Sequence, residues 1–373
     1  MKNIYLIGAS GTIGKKVLNL IDNNKEFKLV AVSVGKNIEF LKEIINKYHP
    51  LYVSTIDKND DLKNKYPHIK FYHGEEGLIH ILNHKMDNSI FFNAILGSVG
   101  LKPTIYAIKR GYDIAMANKE SIVVGGYYLM NLVKANNVNF IPVDSEHNAL
   151  YQLLDDNLDK VYITASGGAI RDLNKDDYEI EEVLKHPNWK MGNKITVDSS
   201  TMVNKALEII EAHYLFGISY DKLNAIINKE SMVHCIIKYK DGTYKSLMSN
   251  PDMDIPISYA LKEDKRFNLN YNIDFSNLNL HFSLIDDNKY PCYKLILDYA
   301  KKGDIFPIVA SITNEYAVKM FLSKKIKFNQ IYDIIKEELQ LTKFKEIINI
   351  EEILYFEKEF RLYLDNKYGG LLW

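Results

Sequence analysis

Four apolar residues, Ile4-Tyr5-Leu6-Ile7, run directly into Gly8-Ala9-Ser10-Gly11-Thr12-Ile13-Gly14, and apolar positions spaced for a helix follow at Val17, Leu18, Leu20 and Ile21. A short buried strand, a glycine turn and a helix, in that order, open a βαβ unit and so commit this part of the chain to a helix-covered parallel sheet. Glycines let the turn tighten and let backbone approach a pyrophosphate, which the positive end of the following helix attracts. Strand-to-helix turns also use glycine for geometry alone. The turn precedes a second strand-like run, Phe27 to Val34, and that context favours a dinucleotide. A dinucleotide fold usually ends its second strand in an acidic residue that bonds the ribose 2′-hydroxyl of NAD. Here the run ends Gly35-Lys36-Asn37, and a cation with an amide suits a 2′-phosphate, so NADPH is expected over NADH.

Further strand-like runs at Leu51 to Ser54, Ile90 to Leu96 and Asp113 to Ala117 alternate with helical patterns, as a doubly wound sheet requires. The second of these ends in another glycine turn, Gly97-Ser98-Val99-Gly100. The third ends in Asn118-Lys119-Glu120-Ser121, a polar cluster where a helix from Ile122 to Val133 is expected to begin. A fourth strand pattern, Asn139 to Val143, gives way to Asp144-Ser145-Glu146-His147. In an open α/β sheet the carboxyl ends of the strands face the ligand crevice, and two carboxylates two residues apart could converge on one hard divalent cation. A helix cap explains the same acids without a metal.

Past the acidic stretch, Val161 to Ala165 reads as a strand ending in Ser166-Gly167-Gly168, small residues that could cradle a phosphate or simply turn. His186-Pro187-Asn188-Trp189-Lys190-Met191-Gly192 places one of the two tryptophans in a loop, the composition of a lid or of a self-packed loop. In Asp198 to Glu208 a cap-rich start places Ser199 at an expected helix N-terminus, and Asn204, Lys205 and Glu208 share one helical face. Ser199, Asn204 and Lys205 together suit a phosphate, with Glu208 one turn on toward a metal; a surface ion pair is the plain alternative for Lys205 and Glu208. Met232 to Tyr239 is a strand, with His234 read as a satisfied core histidine and Asp241-Gly242 as a hairpin turn. Helices are expected over Tyr290 to Lys301, Phe306 to Leu322, Phe328 to Leu341 and Ile350 to Asn366.

With 25% charged and 47% hydrophobic residues among 373, the chain has an ordinary globular composition. A net charge of −1 gives no bulk attraction to nucleic acid or a membrane surface. Two cysteines match neither a zinc spacing nor a disulfide framework, and no apolar run is long enough to span a bilayer. A cytoplasmic protein is expected.

These motifs, in this order, resemble the 1-deoxy-D-xylulose 5-phosphate (DXP) reductoisomerase family. The pieces that carry the resemblance are Gly8 through Gly14, Gly35-Lys36-Asn37, Ala117 through Ser121, Pro142 through Ala149, Ser166-Gly167-Gly168, His186 through Gly192 and Val197 through Glu208. The resemblance is weakest beyond about Met320. It implies a Rossmann-like NADPH domain (1–145), a central α/β catalytic domain with dimerisation strands (146–263), a linker (264–287) and a C-terminal α-helical domain (288–373). It further implies that Asp144, Glu146 and Glu208 hold one Mg²⁺ or Mn²⁺ per subunit. Ser166, Ser199, Asn204 and Lys205 would bind the substrate phosphate with His186 beside it as part of the substrate site, and Lys119 and Ser145 the substrate hydroxyls. Lys119 and the three acids would be the catalytic set, Glu146 and Glu208 also meeting substrate. Ser10, Gly11, Thr12, Ile13, Gly35, Lys36, Asn37, Asn118, Glu120 and Gly192 would contact NADPH. The implied partners are a sugar phosphate and a second copy of the chain. The sequence departs from the family at Asn228-Lys229-Glu230-Ser231, where His-Pro-Gln-Ser is usual, and at Ser249 through Asp254.

Two other readings remain compatible with the residues alone. A metal-free NADP dehydrogenase of semialdehyde or homoserine type explains the glycine turn and leaves three carboxylates unused. A nucleotide sensor would bind NADPH and consume no substrate.

Overall fold

The computed structural model describes residues 1–175, 177–262 and 266–372. They form two compact units, one of Met1–Ser121, Leu129–Asn148 and Met253–Asn270, the other of Ile122–Tyr128, Ala149–Asp252 and Tyr271–Trp373.

The first unit is built on a seven-stranded sheet of β1 (Lys2–Ile7), β2 (Phe27–Ser33), β3 (Tyr52–Thr55), β4 (Lys70–His73), β5 (Ser89–Asn93), β6 (Asp113–Met116) and β7 (Phe140–Pro142), in the order β4-β3-β2-β1-β5-β6-β7. Every neighbouring pair is parallel. Ile4, Tyr5, Leu6 and Ile7 are wholly buried, the continuous apolar run of a strand covered on both faces. Each such side chain contributes roughly 1.5–3 kcal/mol by leaving water. The strand order reverses between β1 and β5, so the turns that follow these two strands flank the crevice of an open sheet. Strand β4 escapes a reading by apolar pattern because it is a half-exposed edge, Lys-Phe-Tyr-His. The run from Ile90 to Leu96 is strand only as far as Asn93; its last residues turn toward Gly97.

The helix Asp254–Lys262 completes this unit, burying Ile257, Ala260 and Leu261 among Leu18, Leu29 and Leu41 of the same core. Its ends are tied by Lys16–Asp254 and Lys262–Glu26 ion pairs, both 2.8 Å. The expected boundary near residue 263 thus follows a helix that packs with the first sheet.

The second unit holds a five-stranded sheet, β8 (Leu158–Ala165), β9 (Leu223–Asn228), β10 (Val233–Tyr239), β11 (Tyr244–Met248) and β12 (Phe282–Leu284), in the order β11-β10-β8-β9-β12. Strands β8 and β9 are parallel and the other pairs antiparallel. Asp241-Gly242 makes the β10–β11 turn, with Gly242 at φ +88°. Val161, Ile163, Cys235 and Ile237 pack one sheet face against Leu150, Ile209 and Ala212. Helices follow at Pro291–Ala300, Ile305–Leu322, Gln330–Leu341 and Ile350–Leu372. Residues 305–314 are all buried, marking a helix that is apolar around its circumference and therefore central.

The stretch 264–287, expected as a linker, contains β12, which pairs antiparallel with β9. Residues 264 and 265 of it lie outside the described residues. Backbone pairing holds β12, Phe282-Ser283-Leu284, while all three of its side chains are exposed; three alternating residues in a mostly polar stretch are too short a pattern to announce a strand. Among the described residues, no helix is long and apolar enough to cross a membrane.

Candidate active site

In the first unit the glycine turn is required sterically. Gly8 has φ +82°, and a Cβ there would lie 2.5 Å from the Ala94 carbonyl oxygen of the turn after β5. A Cβ on Gly14 would meet the Gly8 oxygen at 2.3 Å, so the helix Thr12–Asp22 can lie this close to β1 only with glycine. Gly11 caps that helix without a side-chain bond, leaving Ser10, Gly11, Thr12 and Ile13 at a helix start suited to an anion. At the end of β2, Gly35 precedes an exposed Lys36, while Asn37 accepts the Phe40 N–H at 3.1 Å and caps the helix Ile38–Tyr48. The Asn37 carbonyl oxygen is therefore committed to the fold. Asn118 is committed further: its oxygen accepts the Ser121 N–H at 2.8 Å, and its nitrogen donates to Ile95 and Gly97 carbonyls at 2.7 and 2.8 Å.

Adjacent parallel strands β6 and β7 deliver Lys119 and Asp144 to the same edge, where Lys119 Nζ lies 2.8 Å from Asp144 Oδ2. Lys119 is 8% exposed and Glu120 6%, so both charges are withdrawn from bulk water. Ser145 opens the helix Ser145–Leu153 and donates to Glu146 Oε2 at 2.5 Å. Carboxylate oxygens of Asp144 and Glu146 approach within 4.8 Å of one another. The neighbouring His147 ring, wholly buried, has Nδ1 3.8 Å from Asp144.

In the second unit Ser166 follows β8, and its Oγ lies 2.8 Å from His186 Nε2 and 3.4 Å from Ser199 Oγ. Gly167 and Gly168 turn the chain at φ +84° and +67°, and a Cβ on Gly168 would lie 2.6 Å from Ser200 Cα. Burial, aided by the nearby Arg171 charge, pushes the His186 pKa down to about 4, so the ring is neutral at physiological pH. Arg171, which no sequence pattern singled out, donates to the Ser166 carbonyl at 2.7 Å. Trp189 is half-buried with its ring 6.3 Å from that of His234. His234 is buried and paired with Ser249 at 2.9 Å, as a core histidine should be.

One expectation fails here. Ser199 is not at a helix N-terminus but near the C-terminal end of Asn193–Thr201, which Gly192 caps. Met202 then adopts a left-handed φ of +59°, breaking the chain into that helix and a second, Val203–Phe216. Cap-forming residues cluster where one helix ends as well as where one begins, and that misleads the reading of Asp198-Ser199-Ser200. Asn204 and Lys205 do lie in the first turn of the second helix. Asn204 Nδ2 and Lys205 Nζ both reach the Glu208 carboxylate at 2.5 Å, and Lys205 also donates to the Thr164 carbonyl. Lys205 is 3% exposed and Glu208 1%, which removes the surface ion pair as an explanation.

In each unit the carboxylates are of the kind that suits a hard cation: Asp144 and Glu146 in the first and Glu208 in the second offer oxygen only, and Asp144 and Glu208 already draw an ammonium group to their side.

The family model of 1-deoxy-D-xylulose 5-phosphate reductoisomerase matches residues 4–126, that of its C-terminal domain residues 140–216, and that of the DXP reductoisomerase C-terminal domain residues 248–363. The 1-deoxy-D-xylulose 5-phosphate reductoisomerase of Listeria innocua serovar 6a is 38% identical over 377 residues, covering 98% of this chain and 99% of its own. The chain belongs to the DXP reductoisomerase family. A second reductoisomerase, from Macrococcus caseolyticus, is 40% identical over 373 residues, 97% of this chain and 98% of its own. A crystal structure of DOX-P reductoisomerase in complex with NADPH, fosmidomycin and magnesium aligns with a TM-score of 0.92 and 32% identity, covering 100% of this chain and 99% of that one. Membership of a reductoisomerase family sets aside both the metal-free dehydrogenase and the nucleotide sensor.

Proposed function

We propose that this chain converts DXP to 2-C-methyl-D-erythritol 4-phosphate, using NADPH and one divalent cation, with the labour divided among its residues as follows from their chemistry. The observation that carries the assignment is the Asn204–Lys205–Glu208 network on one helix, with Lys205 and Glu208 buried, which combines phosphate donors with a metal-type carboxylate. Asp144, Glu146 and Glu208 hold Mg²⁺ or Mn²⁺. Ser166, Ser199, Asn204 and Lys205 hold the phosphate as donors, with the neutral His186 beside it, donating to Ser166. Lys119 and Ser145 meet the substrate hydroxyls. When bound, the cation polarises adjacent substrate oxygens for the skeletal rearrangement and NADPH supplies the hydride. Ser10, Gly11, Thr12, Ile13, Gly35, Lys36, Asn37, Asn118, Glu120 and Gly192 form the NADPH contacts; Asn118 acts there by holding the two turns after β5 and β6 together. The working parts are an NADPH domain (1–145), a catalytic domain (146–263), a connecting segment (264–287) and a helical domain (288–373). Edge strand β11, with Tyr244 60% exposed, supports a homodimer joined through this sheet. A cytoplasmic location fits two buried free cysteines.

The test is NADPH oxidation driven by DXP. Turnover should vanish after dialysis against chelator and return with Mn²⁺; oxidation that is indifferent to chelator would overturn the metal assignment. Cofactor choice is a separate expectation. Lys36→Asp removes the cation expected at the 2′-phosphate, so the NADPH-over-NADH preference should fall about tenfold or more. Equal use of both cofactors by the parent enzyme would count against Lys36.

A further inference from the structure

The neutral His186 ring has one tautomer available to it. The backbone N–H groups of Asn188 and Trp189 both donate to its Nδ1, at 3.2 and 2.9 Å. A ring nitrogen that accepts carries no proton, so the proton sits on Nε2, 2.8 Å from Ser166 Oγ. Ser166 Oγ also receives the Gly168 N–H at 3.1 Å. With both lone pairs taken, the Ser166 hydroxyl hydrogen is directed elsewhere, toward the side of Ser199 Oγ at 3.4 Å. The polarity of the whole relay starts from the two amides over His186 Nδ1.

Those amides are held through Asn188. Its Nδ2 lies 2.7 Å from both the Lys229 carbonyl and Ser231 Oγ. A carbonyl only accepts, so the group facing it must be the NH₂. The anchoring loop is pinned in turn. Asn228, wholly buried, accepts the Met232 and Val233 N–H groups at 3.1 Å, and donates to Glu230 at 2.8 Å and to the His281 carbonyl at 3.2 Å. Glu230 accepts the His281 N–H at 2.9 Å and pairs with its Nδ1 at 2.6 Å. This is the stretch where the family usually reads His-Pro-Gln-Ser. An imidazole has two ring nitrogens and cannot make the four bonds that the Asn228 amide makes.

We propose that Asn188, set by Lys229 and Ser231, is a positioning residue that fixes His186 as the Nε2–H tautomer and so aims the Ser166 hydroxyl proton at the substrate phosphate. The proposal rests on the phosphate-site reading above.

Long-range ¹H–¹⁵N spectra of ¹⁵N-histidine-labelled enzyme, with His186 assigned by the signal missing from His186→Gln, test it directly. The parent should show His186 protonated at Nε2 alone and untitrated from about pH 8 to about pH 5.5. Asn188→Ala should give mixed tautomers and raise KM for DXP about tenfold, with NADPH affinity unchanged. Ser231→Ala keeps the Lys229 acceptor and should move both readouts the same way, by less. An Nδ1–H tautomer in the parent, or an Asn188→Ala enzyme with parental tautomer and KM, overturns the proposal. Should Asn188→Ala not fold, the parent spectrum and Ser231→Ala decide. A Lys205→Met enzyme with unchanged KM for DXP would instead overturn the phosphate-site reading, leaving Asn188 to be judged on the tautomer.

Discussion

Lys205→Met is expected to cost about 3–5 kcal/mol of folding stability and to raise KM for DXP sharply, whereas Glu208→Gln should leave the fold intact and weaken the metal. Both residues are almost fully buried, and their charges answer one another at 2.5 Å. Methionine matches the lysine stem but strands the Glu208 carboxylate in a low-dielectric setting. Glutamine at 208 keeps the size and one acceptor oxygen for Lys205, with the Thr164 carbonyl still accepting from the same ammonium. It therefore costs less stability than Lys205→Met while removing a negative charge from the metal set, and Mn²⁺ affinity should fall at least about tenfold. Excess Mn²⁺ should recover part of the rate in Glu208→Gln and none of the KM loss in Lys205→Met. Thermal melts without metal, kinetics across a Mn²⁺ series, and the double variant complete the cycle; combining the two changes should restore part of the stability lost by Lys205→Met alone. Variants that melt and turn over like the parent at every Mn²⁺ concentration would sink the assignment.

Gly14→Ala should abolish tight NADPH binding and destabilise the first unit by about 1–3 kcal/mol. Its new methyl would sit 2.3 Å from the Gly8 oxygen and 2.5 Å from Ala9 Cα, and both neighbours are backbone that cannot rotate away. The helix must lift from β1, carrying its N–H groups away from the place a pyrophosphate would occupy. Gly11→Ala is the control. Its methyl would lie 3.4 Å from the Gly8 oxygen, a tight contact that small adjustments absorb, so stability should hold while NADPH affinity drops where the cofactor needs that space. A Gly14→Ala enzyme with parental melting temperature and NADPH affinity would refute the steric account.

Legibility in the sequence tracked side-chain chemistry and failed where backbone decides. The glycine turn, the strand runs and the Asn204–Lys205–Glu208 face were readable because each imposes residue types at fixed spacing. The depth of burial of that face was not readable, since an i, i+3 ion pair looks the same on a surface. The break at Met202 was hidden because a left-handed conformation is usually given to glycine or asparagine. Strands β4 and β12 were hidden because edges held by main-chain bonds can be only three or four residues long with exposed side chains, too short to show a pattern. What Asn188 and the Asn228–Ser231 loop hold in place was not legible for a related reason: most of their partners are backbone carbonyl and amide groups, which every residue carries.

The central place of β1 has a consequence for how the protein comes into being. Lys2–Ile7 is synthesised before both of its neighbours, with β2 on one side and β5, Ser89–Asn93, on the other. Until Ser89–Asn93 has left the ribosome, an apolar strand waits with one hydrogen-bonding edge open, and its glycine turn lacks the Ala94 backbone against which Gly8 is seated. Pairing across that span is slow and exposes the nascent chain to misassociation. A strand made before its partners is thus completed late, and cofactor present during synthesis would meet no finished cradle until β5 has docked.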